Sequence, residues 1–171
     1  MPFLRSMSSS LFRRRFRVYW LTDDVAVSRE PEAGDWPSIG AQGIRCVVDL
    51  RSETPDGESL VRSHGLLYIR VPVDEGSAPT EQELELVTDW ILERIAADGP
   101  VLVHCREGRG RSPLVACAAL VKLGIPPFEA YKLLQRARPD VALNGDQADM
   151  LQRFALAHGP NPDAAGGRDV T

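Results

Sequence analysis

The chain has 171 residues, 43% of them hydrophobic, with 20 basic and 24 acidic side chains and a formal net charge of −4. That length and apolar content suit one globular domain with a sizeable core and short tails, and the acidic balance argues against general nucleic-acid binding. Three cysteines make no disulfide framework, and no apolar stretch approaches the ~20 residues needed to span a bilayer.

Residues 1–15 read as a basic, disordered arm. The segment is serine-rich, carries Arg13-Arg14-Arg15, and is followed by no acidic residue before Asp23. Short terminal runs of this kind usually stay solvated. A membrane-surface attractor and an organelle transit peptide are the competing readings; the apolar region of a secretory signal is missing. Residues 17–21 and 25–27 then read as short strands, and 35–42 as a short helix closed by Gly43. The unbroken apolar run 44–50, which holds Cys46, reads as a buried strand of the parallel type. Thr54-Pro55-Asp56 opens a helix that Gly65 stops. A strand over 66–71 leads into the loop Val71-Pro72-Val73-Asp74-Glu75-Gly76-Ser77-Ala78-Pro79.

Thr80-Glu81-Gln82-Glu83 forms a capping box, and Leu84, Val87, Ile91 and Ile95 recur behind it at helical spacing. This long helix crosses over to a strand at 100–104, so the two flanking strands should be parallel. An alanine-rich helix holding Cys117 runs to Gly124; another follows Pro126-Pro127, and a last one covers 147–157. The Gly/Pro/Asp-rich tail, 159–171, reads as disordered, which leaves 16–158 as the folded domain. Alternating strands and helices predict an α/β domain with a mainly parallel central sheet flanked by helices. Its site should lie beyond the carboxyl ends of the strands.

Between the strand at 100–104 and the helix after it stands His104-Cys105-Arg106-Glu107-Gly108-Arg109-Gly110-Arg111-Ser112, an H-C-x5-R-S pattern. A helix N-terminus preceded by a glycine-containing turn aims several backbone N–H groups inward and makes an anion site. Gly108 and Gly110 allow the tight curl. The planar fork of Arg111 matches two phosphate oxygens, and Cys105 lies at the bottom of the cradle, where positive potential favours a thiolate. A nucleophile, an oxyanion cradle and a cation in one loop describe phosphoryl transfer through cysteine.

This loop resembles the signature of the cysteine-dependent protein tyrosine phosphatases, in particular the small dual-specificity type. Val47-Val48-Asp49-Leu50-Arg51 resembles the family's second conserved strand, and Arg138-Pro139 followed by Gln147 resembles the segment after its signature helix. The resemblance implies a phosphatase domain over 16–158 that works without metal or cofactor. Cys105 would form a phosphocysteine, Arg111 and the backbone of 106–110 would bind the phosphoryl oxygens, and Ser112 would steady the departing thiolate. His104 would hydrogen-bond and order the loop backbone. Gln147 would position the hydrolytic water, or else act as a helix cap or surface residue.

An alkoxide leaves poorly, so a carboxylic acid must protonate the ester oxygen. In the family the acid is an aspartate followed four positions later by proline; counted back from Pro79, that position is Glu75, while residue type favours Asp74. Both stay candidates. Arg106 and Arg109 resemble cations that serve phosphoinositide and inositol phosphate phosphatases, with Glu107 offsetting part of that charge. The expected substrate is a phosphorylated protein, phosphotyrosine first and phosphoserine or phosphothreonine with it; a phosphoinositide or inositol phosphate is the alternative. A rhodanese-type sulfurtransferase fits less well, because its loop is a residue shorter and needs no acid. A non-catalytic phosphate-binding module draws support only from the displaced acid. A reactive thiol implies a reducing compartment, the cytoplasm by default. Asp49 and Arg51 read as structural ties between the strand end and neighbouring loops.

Overall fold

The computed structural model describes residues 15–55 and 57–160. Apart from residues 15, 159 and 160, the arm expected over 1–15 and the tail expected over 159–171 lie outside the described residues. Five strands form one sheet: β1 (Tyr19–Trp20), β2 (Val25–Ser28), β3 (Cys46–Arg51), β4 (Leu67–Val73) and β5 (Val101–His104). Their order is β1-β2-β5-β3-β4. β1 runs antiparallel to β2, and every other pairing is parallel. β2, β3 and β5 are buried along their whole length, which is why they read as continuous apolar runs rather than alternating ones. β4 and β5 run parallel as the crossover requires, but β3 lies between them. β4 is an edge strand and so tolerates Pro72, which has no N–H to donate. Its register with β3 slips between Asp49 and Arg51, a bulge of the kind that re-aims backbone next to functional sites.

Side-chain alternation along the strands divides the core in two. Ala26, Val47, Tyr68 and Leu102 face α1 (Trp36–Ala41) and α2 (Glu58–Ser63), which contribute Trp36, Ile39 and Val61. Val25, Val27, Cys46, Val48, Val101 and Val103 face α3 (Glu81–Ala97), α4 (Arg111–Lys122), α5 (Pro127–Ala137) and α6 (Gly145–His158). α4 is the axis of that larger layer: every residue from Arg111 to Val121 is buried. The capping box at Thr80 forms as expected, with Thr80 N–H donating to Glu83 at 2.8 Å and Glu83 N–H donating to Thr80 Oγ1 at 3.2 Å.

Two helix starts differ from expectation. α2 begins at Glu58 rather than near Thr54, because Arg70 Nη2 holds the carbonyls of Arg51 (3.1 Å) and Thr54 (2.7 Å) in a loop. α6 begins at Gly145 rather than Gln147, because the Asn144 side chain accepts from Gln147 N–H at 3.0 Å and takes the N-cap position. Among the described residues no helix is long and apolar enough to cross a membrane.

Candidate active site

The sheet register brings Ser28, His104 and Asp49 level at the carboxyl ends of β2, β5 and β3. Cys105 is the next residue along the chain, and the loop 105–110 curls from it into the N-terminus of α4. Gly108 has φ +67°, and a Cβ there would collide with the Ser28 carbonyl and the Arg138 guanidinium. At Gly110 a Cβ would lie 2.8 Å from Gln147 Oε1. The loop can therefore lie against β2 only with glycine at 108, while a side chain at 110 would displace the end of Gln147.

Cys105 is buried. Its sulfur accepts a hydrogen bond from the Gly108 N–H at 3.2 Å and lies 3.3 Å from Ser112 Oγ, on the first turn of α4. Arg111, also buried, is oriented by two acceptors. Its Nη1 donates to Glu53 Oε2 and to the Val73 carbonyl, each at 2.8 Å, and its Nη2 donates to Glu53 Oε1 at 2.8 Å. A guanidinium has five N–H groups. The Nε–H and one hydrogen of Nη2 have no partner among the described residues, and they form a parallel fork suited to two oxygens of one phosphoryl group.

Arg138 braces the loop from outside. It donates to the carbonyls of Gly108 (2.6 Å) and Glu107 (2.9 Å), and its Nε holds Asp140 at 3.0 Å. The Glu30 N–H donates to the Arg106 carbonyl at 3.0 Å. Below the loop, Asp49 is fully buried and accepts from Arg51 Nε (2.8 Å), Arg51 Nη2 (2.6 Å) and the Tyr68 hydroxyl (3.0 Å). Burial alone would push its carboxyl up, but the hydrogen bonds and charge of Arg51 hold it below the ordinary range. Arg51 also pairs with Glu30. Asp49 and Arg51 are thus the structural ties that the sequence suggested.

The loop after β4 is pinned on both sides of the two acid candidates. Arg111 holds the Val73 carbonyl on one side. On the other, Asn144 Nδ2 holds the Gly76 carbonyl at 2.7 Å and Gln147 Nε2 holds that of Ser77 at 3.1 Å. Between these pins the Glu75 carboxylate reaches across to Arg106 Nη1 at 3.4 Å. The Asp74 carboxylate has no hydrogen bond or ion pair among the described residues.

A family model described as "Polymorphic toxin system, DSP-PTPase phosphatase" matches residues 25–125. The chain belongs to the dual-specificity and tyrosine phosphatase family. That is a family of hydrolases. The mouse dual specificity protein phosphatase 14 is 29% identical over 126 residues, covering 72% of this chain and 62% of that protein. Phosphatidylglycerophosphate phosphatase PTPMT2 of Arabidopsis thaliana is 25% identical over 134 residues, covering 76% of this chain and 59% of that protein. The matches thus span about six tenths of the length of these two relatives. Among solved structures, Tk-PTP in its active form superimposes with a TM-score of 0.75 at 27% identity, covering 81% of this chain and 96% of that one.

Within this phosphatase fold, Cys105, Arg111, Ser112 and the backbone of 106–110 converge. Around them stand His104, the pair Arg106 and Arg109, and Gln147. First, neither ring nitrogen of His104 reaches full hydrogen-bond geometry with a described residue, although the Cys105 backbone lies close enough to act on the ring. It packs edge-on to Trp36 with ring centroids 6.2 Å apart and faces Asp49 at 3.9 Å. Burial pushes its imidazole down to about 4, against the opposing pulls of Asp49 and of the Cys105 backbone. Second, Arg106 and Arg109 are not surplus cations: Arg106 pairs with Glu75, and Arg109 with Asp140 at 2.9 Å. Glu107 is exposed and offers the site its backbone carbonyl. Third, Gln147 takes the helix-cap role that was one of its alternatives, with Oε1 on the Asn144 N–H at 3.2 Å and Nε2 on Ser77.

Sequence reasoning passed over Glu53, Asn144 and the bracing role of Arg138. Nothing in the sequence around Glu53 signals its contact with a residue 58 positions away. Arg138-Pro139 stood out only as a family resemblance.

Proposed function

We propose that this phosphatase hydrolyses phosphotyrosine on proteins, and phosphoserine or phosphothreonine with it, through a phosphocysteine on Cys105. The observation that carries the reading is the convergence on one sulfur: a backbone N–H at 3.2 Å, the Ser112 hydroxyl at 3.3 Å, and the unpartnered fork of Arg111 in the same loop. The Cys105 thiolate attacks phosphorus, and the ester oxygen leaves with a proton from a carboxylic acid. Loop N–H groups and Arg111 bind the equatorial oxygens as charge gathers on them. Water then attacks the phosphocysteine, the same carboxylate takes its proton, and the sulfur departs as a thiolate steadied by Ser112, releasing inorganic phosphate.

Asp74 is the better acid. A general acid must be free to reach the ester oxygen and to carry a proton there, and Glu75 is engaged with Arg106. The pairing of Arg106 and Arg109 with carboxylates also favours a singly charged site over one built for an inositol polyphosphate. The need for a reactive thiol supports a reducing compartment such as the cytoplasm.

The test is a metal-free phosphate-release assay, with Cys105→Ser as the blank. The panel is a phosphotyrosine peptide, a phosphothreonine peptide, a phosphoinositide and an inositol polyphosphate. Turnover of the peptides, lost in the variant, is expected. Preference for the lipid or inositol substrate would overturn the protein assignment, and turnover that survives in Cys105→Ser would overturn the mechanism.

A further inference from the structure

Arg70 lies on β4, opposite Asp49 of β3, and is half-buried. It makes no ion pair among the described residues. Its guanidinium is committed to main-chain carbonyls instead: Nε and Nη2 donate to Arg51 at 3.2 and 3.1 Å, and Nη2 donates to Thr54 at 2.7 Å. Those two carbonyls stand on either side of Glu53, whose carboxylate holds Arg111 with both oxygens. The backbone has left the regular ladder at this point. Between the pairs Asp49–Arg70 and Arg51–Val73 the chain advances two residues on β3 and three on β4. Pro72, inside that slip, has no N–H to donate. β3 ends at Arg51, and α2 does not begin until Glu58. The Glu53 carboxylate also accepts from the Ser52 N–H at 3.0 Å, but a bond to its own neighbour cannot place the segment in the fold.

We propose that Arg70 is a positioning residue for phosphoryl binding: it ties down the carbonyls on both sides of Glu53 and so fixes the carboxylate that holds Arg111. The inference rests on the reading above in which Arg111 receives the phosphoryl oxygens. Arg70 hydrogen-bonds no residue of the phosphate loop. It acts through two links, from its guanidinium to the backbone around Glu53, and from the Glu53 carboxylate to Nη1 and Nη2 of Arg111. The chemistry suits the task. A guanidinium is planar and always charged, so its fork meets two carbonyls at once in a fixed geometry and with charge-assisted strength. A segment tied at two points has less freedom to lose when it orders against Arg111. The other anchor of Arg111 stands on the same strand: Val73, three residues after Arg70, gives its carbonyl at 2.8 Å. Both acceptors that orient Arg111 are thus referred to one short stretch of β4.

The experiment uses the full chain and two readouts. The first is kcat/KM on an aryl phosphate for the wild type, Arg70→Gln, Glu53→Gln and the double variant. Arg70→Gln alone should lose about tenfold. In the Glu53→Gln background the same change should cost less than about twofold, because the link it acts through is already cut. The second readout needs no turnover: iodoacetate alkylates Cys105, and inorganic phosphate protects it. The half-protecting phosphate concentration should rise about tenfold in Arg70→Gln, while the rate without phosphate stays within about twofold. Arg70→Lys, whose single ammonium cannot fork to two carbonyls, should fall between the wild type and Arg70→Gln. Equal losses from Arg70→Gln in both backgrounds overturn the inference, and so do unchanged activity and protection in the single variant. A large change in alkylation rate without phosphate overturns it too, since the Cys105 loop itself would then have moved. If phosphate fails to protect Cys105 in the wild type, the reading of Arg111 as the phosphoryl-binding residue falls first and takes the role of Arg70 with it.

Discussion

Glu53 and Arg111 are joined by a two-pronged ion pair, Oε2 to Nη1 and Oε1 to Nη2, each at 2.8 Å. The hydrogen bonds from Arg111 hold the Glu53 carboxyl at about 2, well below the usual carboxylate range. The pair has a directional consequence. With Glu53 and the Val73 carbonyl holding Nη1 and one side of Nη2, the guanidinium is fixed in place before phosphate arrives.

Replacing Glu53 should therefore damage catalysis more than folding. Glu53→Gln keeps the shape but loses the charge-assisted fork, and kcat/KM on an aryl phosphate should drop ~10–100-fold, with the far-ultraviolet circular dichroism unchanged. An unchanged rate would mean that the Val73 carbonyl alone orients Arg111. The contribution of the pair to stability is present above the ordinary glutamate value and is lost as pH falls toward 2. Denaturant midpoints of the variant and the wild type should accordingly converge in strong acid.

Asp74 and Glu75 are neighbours in different surroundings: Glu75 is paired with Arg106, and Asp74 is the acid in the proposal above. Asp74→Asn should lose ~10²–10⁴-fold on substrates with poor leaving groups and far less on an activated aryl phosphate, whose oxygen leaves without help. Glu75→Gln should stay within a few-fold on both, since it breaks an ion pair whose partners are each 55% exposed. The reverse ranking would transfer the acid role to Glu75.

Thiol reactivity should single out Cys105. Burial, and after it the charge of Asp98, pushes the Cys46 thiol up to about 11; burial pushes the Cys117 thiol up to about 12. Iodoacetate added to the folded protein at neutral pH should modify one cysteine per chain, identified by peptide mass as Cys105, and inorganic phosphate should slow the reaction. Modification of Cys46 or Cys117 at a comparable rate would contradict the raised values of those two thiols.

His104 makes stability depend on pH between its folded and its ordinary value. Its folded value of about 4 lies below its ordinary 6.5, so the unfolded chain binds the extra proton between those values. Stability contributed by the neutral ring is full above pH 6.5 and is lost as pH falls toward 4, by about 3 kcal/mol at most. Urea unfolding across that interval should show this slope in the wild type and a much flatter one in His104→Gln.

Gly108 tests the geometry of the loop itself. Gly108→Ala places a methyl group against the Ser28 carbonyl at φ +67° and should abolish activity and lower the denaturant midpoint, because a buried loop residue must move off β2. Retained activity would show that the loop has room which the structure denies it.

The elements of this domain were legible in the sequence almost one for one. Apolar runs buried in a parallel sheet, the capping box at Thr80 and the 3.6-residue periodicity behind it are local patterns, and local patterns survive without knowledge of the fold. The nucleophile loop was legible for the same reason: Cys105, Gly108, Gly110, Arg111 and Ser112 sit within eight consecutive residues, and all their mutual geometry is set by one strand-to-helix turn.

What the sequence by itself determined, then, is the α/β class, the cysteine, the cradle and the neighbourhood of the acid. Tertiary structure alone decided how those parts are aimed. Glu53 meets Arg111 only because β3 and β5 are neighbours in the sheet; Asn144 and Gln147 hold the acid loop only because α6 returns to the carboxyl end of β4. Arg106 and Arg109 become a neutralised rim, rather than free cations, only once Glu75 and Asp140 stand opposite them. Each of these depends on contacts between residues some 30 to 70 positions apart. The strength of such contacts is fixed by distance and burial in the folded molecule, and no local sequence pattern encodes either.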